Sequence, residues 1–136
     1  MTGCVLDTDV VIAALDRRDG HFQAAAAALT TMIESATPLL LCSINYAEAL
    51  VRPAEDEGML QAAIDAIATL GILVVAPSAA IARDAARHRA LAISLADGFA
   101  IATAQAHGAS VATFDRRVRR ALKAAGVALA PSFAAI

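Results

Sequence analysis

The sequence predicts an α/β fold: a three-layer sandwich with a mainly parallel five-stranded sheet flanked by helices. Two observations carry that expectation. Short segments that are apolar without interruption, as strands buried on both faces are, recur along the chain. Between them lie longer segments with helical periodicity or rich in alanine, a strong helix former, so strands and helices alternate. At 136 residues the chain suits one compact domain spanning 1–136.

Taken in order, Cys4-Val5-Leu6 reads as a buried strand ending at Asp7, and Val10 to Leu15 as the first helix. The run Asp16 to Gly20 has turn composition, and His21 to Glu34 is an alanine-rich helix with Ala25, Leu29, Met32 and Ile33 on one face. Pro38 precedes a second strand, Leu39 to Cys42. Ser43 then caps a helix that carries Tyr46, Glu48 and Leu50 and stops before Pro53. Glu55, Asp56 and Glu57 open the next helix, where the dipole favours acids, and Leu60, Ile64 and Ile67 form its core-facing stripe. Gly71 ends that helix before the strand Ile72 to Val75. Two more helices follow, Ala79 to about Ala92 and Ser94 to His107, the latter stopped by Gly108. Ser110 to Thr113 is the fourth strand, Arg116 to Ala125 a basic helix, and Val127 to Leu129 the fifth strand.

Composition narrows the function classes. Hydrophobic residues make up 59% of the chain and mean hydropathy is +0.63, but alanine supplies much of the excess. The longest uncharged stretches, Ala66 to Ala82 and Gly98 to Phe114, fall short of the roughly 20 apolar residues a span needs, and glycine or proline interrupts them. Asp7 and Asp9 stand where a secretory leader would be apolar, so a cytoplasmic protein is expected. Cys4 and Cys42 then read as reduced, buried small hydrophobes. Formal net charge is −2, without a global basic signature, yet Arg116, Arg117, Arg119, Arg120 and Lys123 crowd one stretch.

Sites in parallel sheets gather at the carboxyl ends of strands, and Asp7 and Asp115 follow strands there. Glu48 lies about one turn into the helix after the second strand, and Asp97 in the first turn of the helix before the fourth. Clustered carboxylates repel one another unless a cation is present, and hard oxygen ligands suit Mg²⁺ or Mn²⁺. Each acid also has an ordinary role open to it. Asp7 can start a turn, Asp97 can complete a capping box with Ser94, Glu48 can face solvent, and Asp115 can cap the basic helix. Spacing alone leaves both readings standing.

The segments Val5 to Asp9, Ser43 to Glu48, Leu95 to Ala104 and Thr113 to Asp115 resemble, in order and spacing, the four signature stretches of PIN-domain nucleases. Size, element order, His21 with Ala24, and Arg89-Ala90-Leu91 are similar to the VapC-type toxins of type II toxin–antitoxin modules. The resemblance implies an acidic quartet of Asp7, Glu48, Asp97 and Asp115. In it Asp7, Asp97 and Asp115 would hold Mg²⁺ or Mn²⁺, Glu48 would orient a water, and Thr8 and Thr113 would orient the carboxylates. It implies endonucleolytic hydrolysis of single-stranded or looped RNA, an antitoxin partner and a second copy of the chain. Asp9 and Gly98 depart from the common pattern, and Asp9 adds a fifth carboxylate.

Two other classes share part of this pattern. The Asp7-Thr8-Asp9 start resembles haloacid-dehalogenase phosphatases with Asp7 as nucleophile, but the single lysine, Lys123, sits on the last helix. A receiver-like, non-catalytic interaction domain would need an acid after the third strand, where Ala76-Pro77 stands. Arg116 and Arg117 are the candidate RNA phosphate contacts, the alternative being a solvated helix face. His21, His88 and His107 read as structural, and aromatic residues at 4% offer no stacking platform. Met32, Ile33, Leu50, Val51, Met59 and Leu60 exceed what one core needs, so a surface patch and a homodimer are expected.

Overall fold

The computed structural model describes residues 2–136. Four parallel strands, β1 (Cys4–Leu6), β2 (Leu39–Cys42), β3 (Ile72–Val75) and β4 (Ser110–Ala112), lie in the order β3-β2-β1-β4. Seven α-helices connect them: α1 (Thr8–Leu15), α2 (Phe22–Glu34), α3 (Ser43–Leu50), α4 (Glu57–Thr69), α5 (Ala79–His88), α6 (Leu95–His107) and α7 (Arg116–Ala125). Register places Val5 beside Leu40 and Val111, and Leu41 beside Val74.

The pleat divides each strand between two cores. Cys4, Leu6, Leu39, Leu41 and Ile72 pack with Val10 and Val11 of α1, Leu29 and Met32 of α2, Ala49 of α3 and Ile67 of α4. Val5, Leu40 and Val111 face the other way, against Ala100, Ile101 and Ala104 of α6 and Val118 and Leu122 of α7. The expected three layers are therefore present. Helix α5 lies outside α6, with Ile81 and Ala85 against Phe99 and Ala102. Gly98 permits that approach, since a Cβ there would stand 2.7 Å from the Ala85 carbonyl oxygen.

The expected fifth strand is reduced to a single bridge between Val111 and Leu129. Val127 spends its N–H on the Leu122 carbonyl in closing α7, so only the Ala128 carbonyl and Ala130 N–H reach Val111. The chain then turns at Pro131–Phe133 and buries Phe133 in the first core. Helix ends also shift locally. Asp7 caps α1, which starts at Thr8 rather than Val10, and α4 starts after its Asp56 cap because Pro53–Glu55 forms a 3-10 turn. Helix α5 stops at His88, and a 3-10 turn carries the chain to Ala92.

This strand order sets the site. Strands β1, β2 and β3 progress in one direction, and the chain then returns to place β4 on the opposite side of β1. The crevice beyond the carboxyl ends of β1 and β4 is thus the switch point where α/β sheets bind ligands.

Candidate active site

Asp7 ends β1, its N–H donating to the Ala112 carbonyl of β4 at 3.0 Å. Its side chain is 2% exposed. One carboxylate oxygen accepts from Thr8 N–H at 2.9 Å and the other from the Thr113 hydroxyl at 2.8 Å. Burial, reinforced by the like charges of Asp9 and Asp97, pushes this carboxyl up to about 8 against the pull of those two hydrogen bonds. Thr113, one residue past β4, accepts from Asp115 N–H at 3.1 Å, and so joins two acids through one hydroxyl.

Two of the other acids, Asp97 and Asp115, arrive on helix starts. Asp97 sits in the first turn of α6 and completes a capping box, with Ser94 N–H donating to it at 3.2 Å and Asp97 N–H donating to Ser94 Oγ at 3.1 Å. Asp115 caps α7, accepting from Arg117 N–H at 2.8 Å. Glu48 comes from exposed positions of α3. One pocket is lined by Asp7, Thr8, Asp9, Glu48, Asp97 and Asp115, together with Ile12 and Ser94. The structure therefore brings the four acids of the expected quartet together, with Asp7, Asp97 and Asp115 held through their helix-cap bonds and Glu48 exposed on α3. The positive ends of α1, α6 and α7 meet at this pocket and offset part of the carboxylate repulsion.

Asp9 is more than a helix-start residue. One oxygen accepts from Phe114 N–H at 3.0 Å, and the other, Oδ1, is buried without a partner. Burial is also the main cause that raises its carboxyl. An orphaned oxygen in a pocket of five carboxylates is the surrounding a hard divalent cation would satisfy. Among the described residues no three acids, histidines or cysteines are grouped tightly enough to hold an ion by themselves. Mg²⁺ takes one or two carboxylates and retains several waters, so the looser acidic set still fits it.

Sequence reasoning did not find Asn45. Fully buried, it donates from Nδ2 to Thr8 Oγ1 and to the Ala96 carbonyl, both at 3.0 Å, which ties α3 to α1 and α6. The available signal was an amide one turn before Glu48. The basic run also divides. Arg119 is a clamp, its guanidinium donating to the carbonyls of Thr113, Phe133 and Ile136. Arg117 pairs with Asp115 at 3.6 Å from the pocket rim, while Arg116 is exposed. His21 stacks on Phe114, with ring centroids 4.3 Å apart.

The site is an acidic crevice at the switch point of a parallel α/β sheet, floored by Asp7 and framed by three helix starts. Residues 4–123 match the PIN domain, and the chain belongs to the PIN-domain family. No curated protein matches the sequence. Among solved structures, FitAB bound to an IR36 DNA fragment is 26% identical, with 96% of this chain and 95% of that one covered and a TM-score of 0.71. FitAcB from Neisseria gonorrhoeae is 25% identical over 96% of this chain and 99% of that one, with a TM-score of 0.68. VapC20 from Mycobacterium tuberculosis, described as a toxin cleaving the sarcin-ricin loop, is 18% identical, covers 94% and 98%, and has a TM-score of 0.70. That last likeness concerns the fold alone. Membership in this family sets aside the phosphatase and receiver readings. Among the described residues no helix is long and apolar enough to cross a membrane.

Proposed function

We propose that residues 1–136 act as one metal-dependent endoribonuclease domain, the toxin of a toxin–antitoxin pair, hydrolysing phosphodiester bonds in single-stranded or looped RNA. The observation that carries this reading is the convergence of Asp7, Glu48, Asp97 and Asp115 on one pocket at the β1/β4 switch point. Asp7, Asp97 and Asp115 would hold Mg²⁺ or Mn²⁺. Bound there, the ion would supply Lewis-acid stabilisation of charge on the phosphate and leaving oxygen. Thr113 holds Asp7 and Asp115 in register, and Thr8, itself fixed by Asn45, keeps the α1 start against the pocket. Glu48, exposed at the rim, orients a water toward the scissile phosphate. The three helix starts draw the phosphate in despite the acids.

Support for an RNA substrate comes from the description of VapC20 as a loop-cleaving toxin. An antitoxin partner is supported by solved relatives described as a toxin–antitoxin complex from Klebsiella pneumoniae and as DNA-bound VapBC from Salmonella typhimurium. A homodimer is supported by apolar surface, though not quite the one the sequence suggests. Met32 is buried in the core, while Ile33, Val51 and Met59 are exposed. The larger unexpected contribution is edge strand β3, where Leu73 is 60% exposed. The function is tested by incubating the purified chain with a structured RNA, with Mg²⁺ or with chelator. Cleavage only with metal, lost in Asp97→Asn, supports the reading, and metal-independent cleavage overturns it.

A further inference from the structure

A second cavity adjoins the acidic pocket and takes no part in the roles above. It lies between α7 and the turn before α6, lined by Leu91, Ala92, Arg117, Arg120, Ala121 and Ala124. Both of its walls continue into the acidic pocket. On one side Ala92 is two residues from Ser94, and on the other Arg117 is two residues from Asp115. The Ala92 wall is held in a left-handed conformation (φ 61°), which an alanine adopts at a cost. The Ala92 N–H bonds to the Arg89 carbonyl at 3.2 Å, and the Arg89 guanidinium donates to the Ile93 carbonyl at 2.6 Å, fixing the turn.

The cationic side of the cavity is equally distinct. Arg117 and Arg120 are one turn apart on the same face of α7, with Ala121 and Ala124 completing that face. Arg120 makes no ion pair or hydrogen bond among the described residues, unlike the clamped Arg119. The groove along this face, from Arg117 to Ala124, runs for about 10 Å of helix. Its sign is opposite to that of the pocket it leaves. A strand whose scissile phosphate enters the acidic pocket therefore meets cationic partners for its neighbouring phosphates along this face of α7. The apolar side chains of Leu91, Ala92, Ala121 and Ala124 offer contact to sugar and base without a stacking ring or hydrogen-bonding group, so the groove holds backbone rather than reading sequence.

We infer that this groove is the track for the RNA strand flanking the cleaved bond, with Arg120 and Arg117 holding one or two phosphates beside the scissile one. This rests on the ribonuclease reading, and it replaces Arg116, which does not line the cavity, by Arg120 as the partner of Arg117. Arg120 touches no acid of the pocket, so it is a positioning residue and the cleaner one to vary.

In steady-state cleavage of a twelve-nucleotide single strand with Mg²⁺, Arg120→Ala raises KM about tenfold and changes kcat less than about threefold, as loss of a ground-state phosphate contact does. Arg120→Lys restores KM to within about threefold, and a dinucleotide substrate, too short to enter the groove, is cut equally by both proteins. Removing equal or greater charge in the turn after α1, with Arg17→Ala and Arg18→Ala, leaves KM unchanged. Binding is read separately by anisotropy of the labelled strand on the Glu48→Gln protein. Adding Arg120→Ala there lowers the magnitude of the log Kd against log salt slope by about 0.7. If the unaltered chain does not cut RNA, the ribonuclease reading falls, and the salt slope still decides the groove. If cleavage is intact while Arg120→Ala matches wild type in KM and in slope, the groove assignment is wrong and the nuclease stands.

Discussion

Asp7→Asn should make the metal-free protein more stable at alkaline pH and reduce the pH dependence of its folding. In the folded chain, burial and the neighbouring acids lift the Asp7 carboxyl from its ordinary 3.8 to about 8. A raised acid is held protonated by the fold but ionises when the chain unfolds. Its stabilising contribution is therefore full below about pH 4 and is lost as pH rises through about 8. Within that window each pH unit removes up to about 1.4 kcal/mol. Across the window the loss reaches on the order of 5 kcal/mol, comparable with the whole stability of a small domain. Asparagine carries no charge. Its Oδ1 still accepts the Thr8 N–H, while its Nδ2 can only donate to the Thr113 hydroxyl, which reverses the bond that Thr113 makes to Asp7. Urea unfolding followed by circular dichroism in chelator, from pH 5 to pH 9, gives the comparison. The native protein should lose stability steadily, while the variant loses less, keeping the slope that the raised Asp9 carboxyl contributes, and exceeds the native protein at pH 8 by about 2–5 kcal/mol. Mg²⁺ at pH 8 should then recover stability in the native protein and little in the variant. Equal pH slopes for the two proteins would refute the assignment of Asp7 as the buried, repelled acid of the pocket.

Other consequences lie outside the acids. Arg119→Ala removes guanidinium bonds to three carbonyls that join the end of β4 to the C-terminal turn, and should lower stability by about 2–4 kcal/mol in thermal unfolding. Gly98→Ala, favourable for an isolated helix, should cost about 1–3 kcal/mol by the same assay, because the added methyl meets the Ala85 carbonyl oxygen. Leu73→Glu on the exposed edge strand should shift a dimer to monomer in sedimentation while leaving the far-ultraviolet spectrum unchanged.

The parts of this fold that were legible in the sequence are those whose cause is local. Continuous apolar runs marked β1 to β4, and Ser94 and Gly108 marked the two ends of α6 through their caps. The fifth strand misled because Val127-Ala128-Leu129 has strand composition, while the chain commits its first N–H to closing α7. Of the candidate acids, Asp7 and Asp115 were legible because each follows a strand, and Asp97 because it opens a helix before one. Glu48 lies further into α3, and it was the family resemblance that joined the four as one set. Two things depended on long-range packing and had no local signal. Asn45 gains its meaning only where α1, α3 and α6 meet. In the basic run only the fold distinguishes Arg119, turned back onto three carbonyls, from Arg120 in the groove. Asp9 was ambiguous until Phe114 N–H took one of its oxygens and left the other buried and bare.

The most direct test of the account is cleavage of a looped RNA by the purified chain, followed on a denaturing gel as Mg²⁺ is titrated into chelated protein, beside Asp97→Asn, with folding of both checked by circular dichroism. The account predicts internal cuts that appear with metal and fall at least about a hundredfold in the folded variant, the scale of losing a preorganised electrostatic group. Internal cuts that persist in chelator, or a folded Asp97→Asn protein that cuts as fast as the native chain, would contradict it.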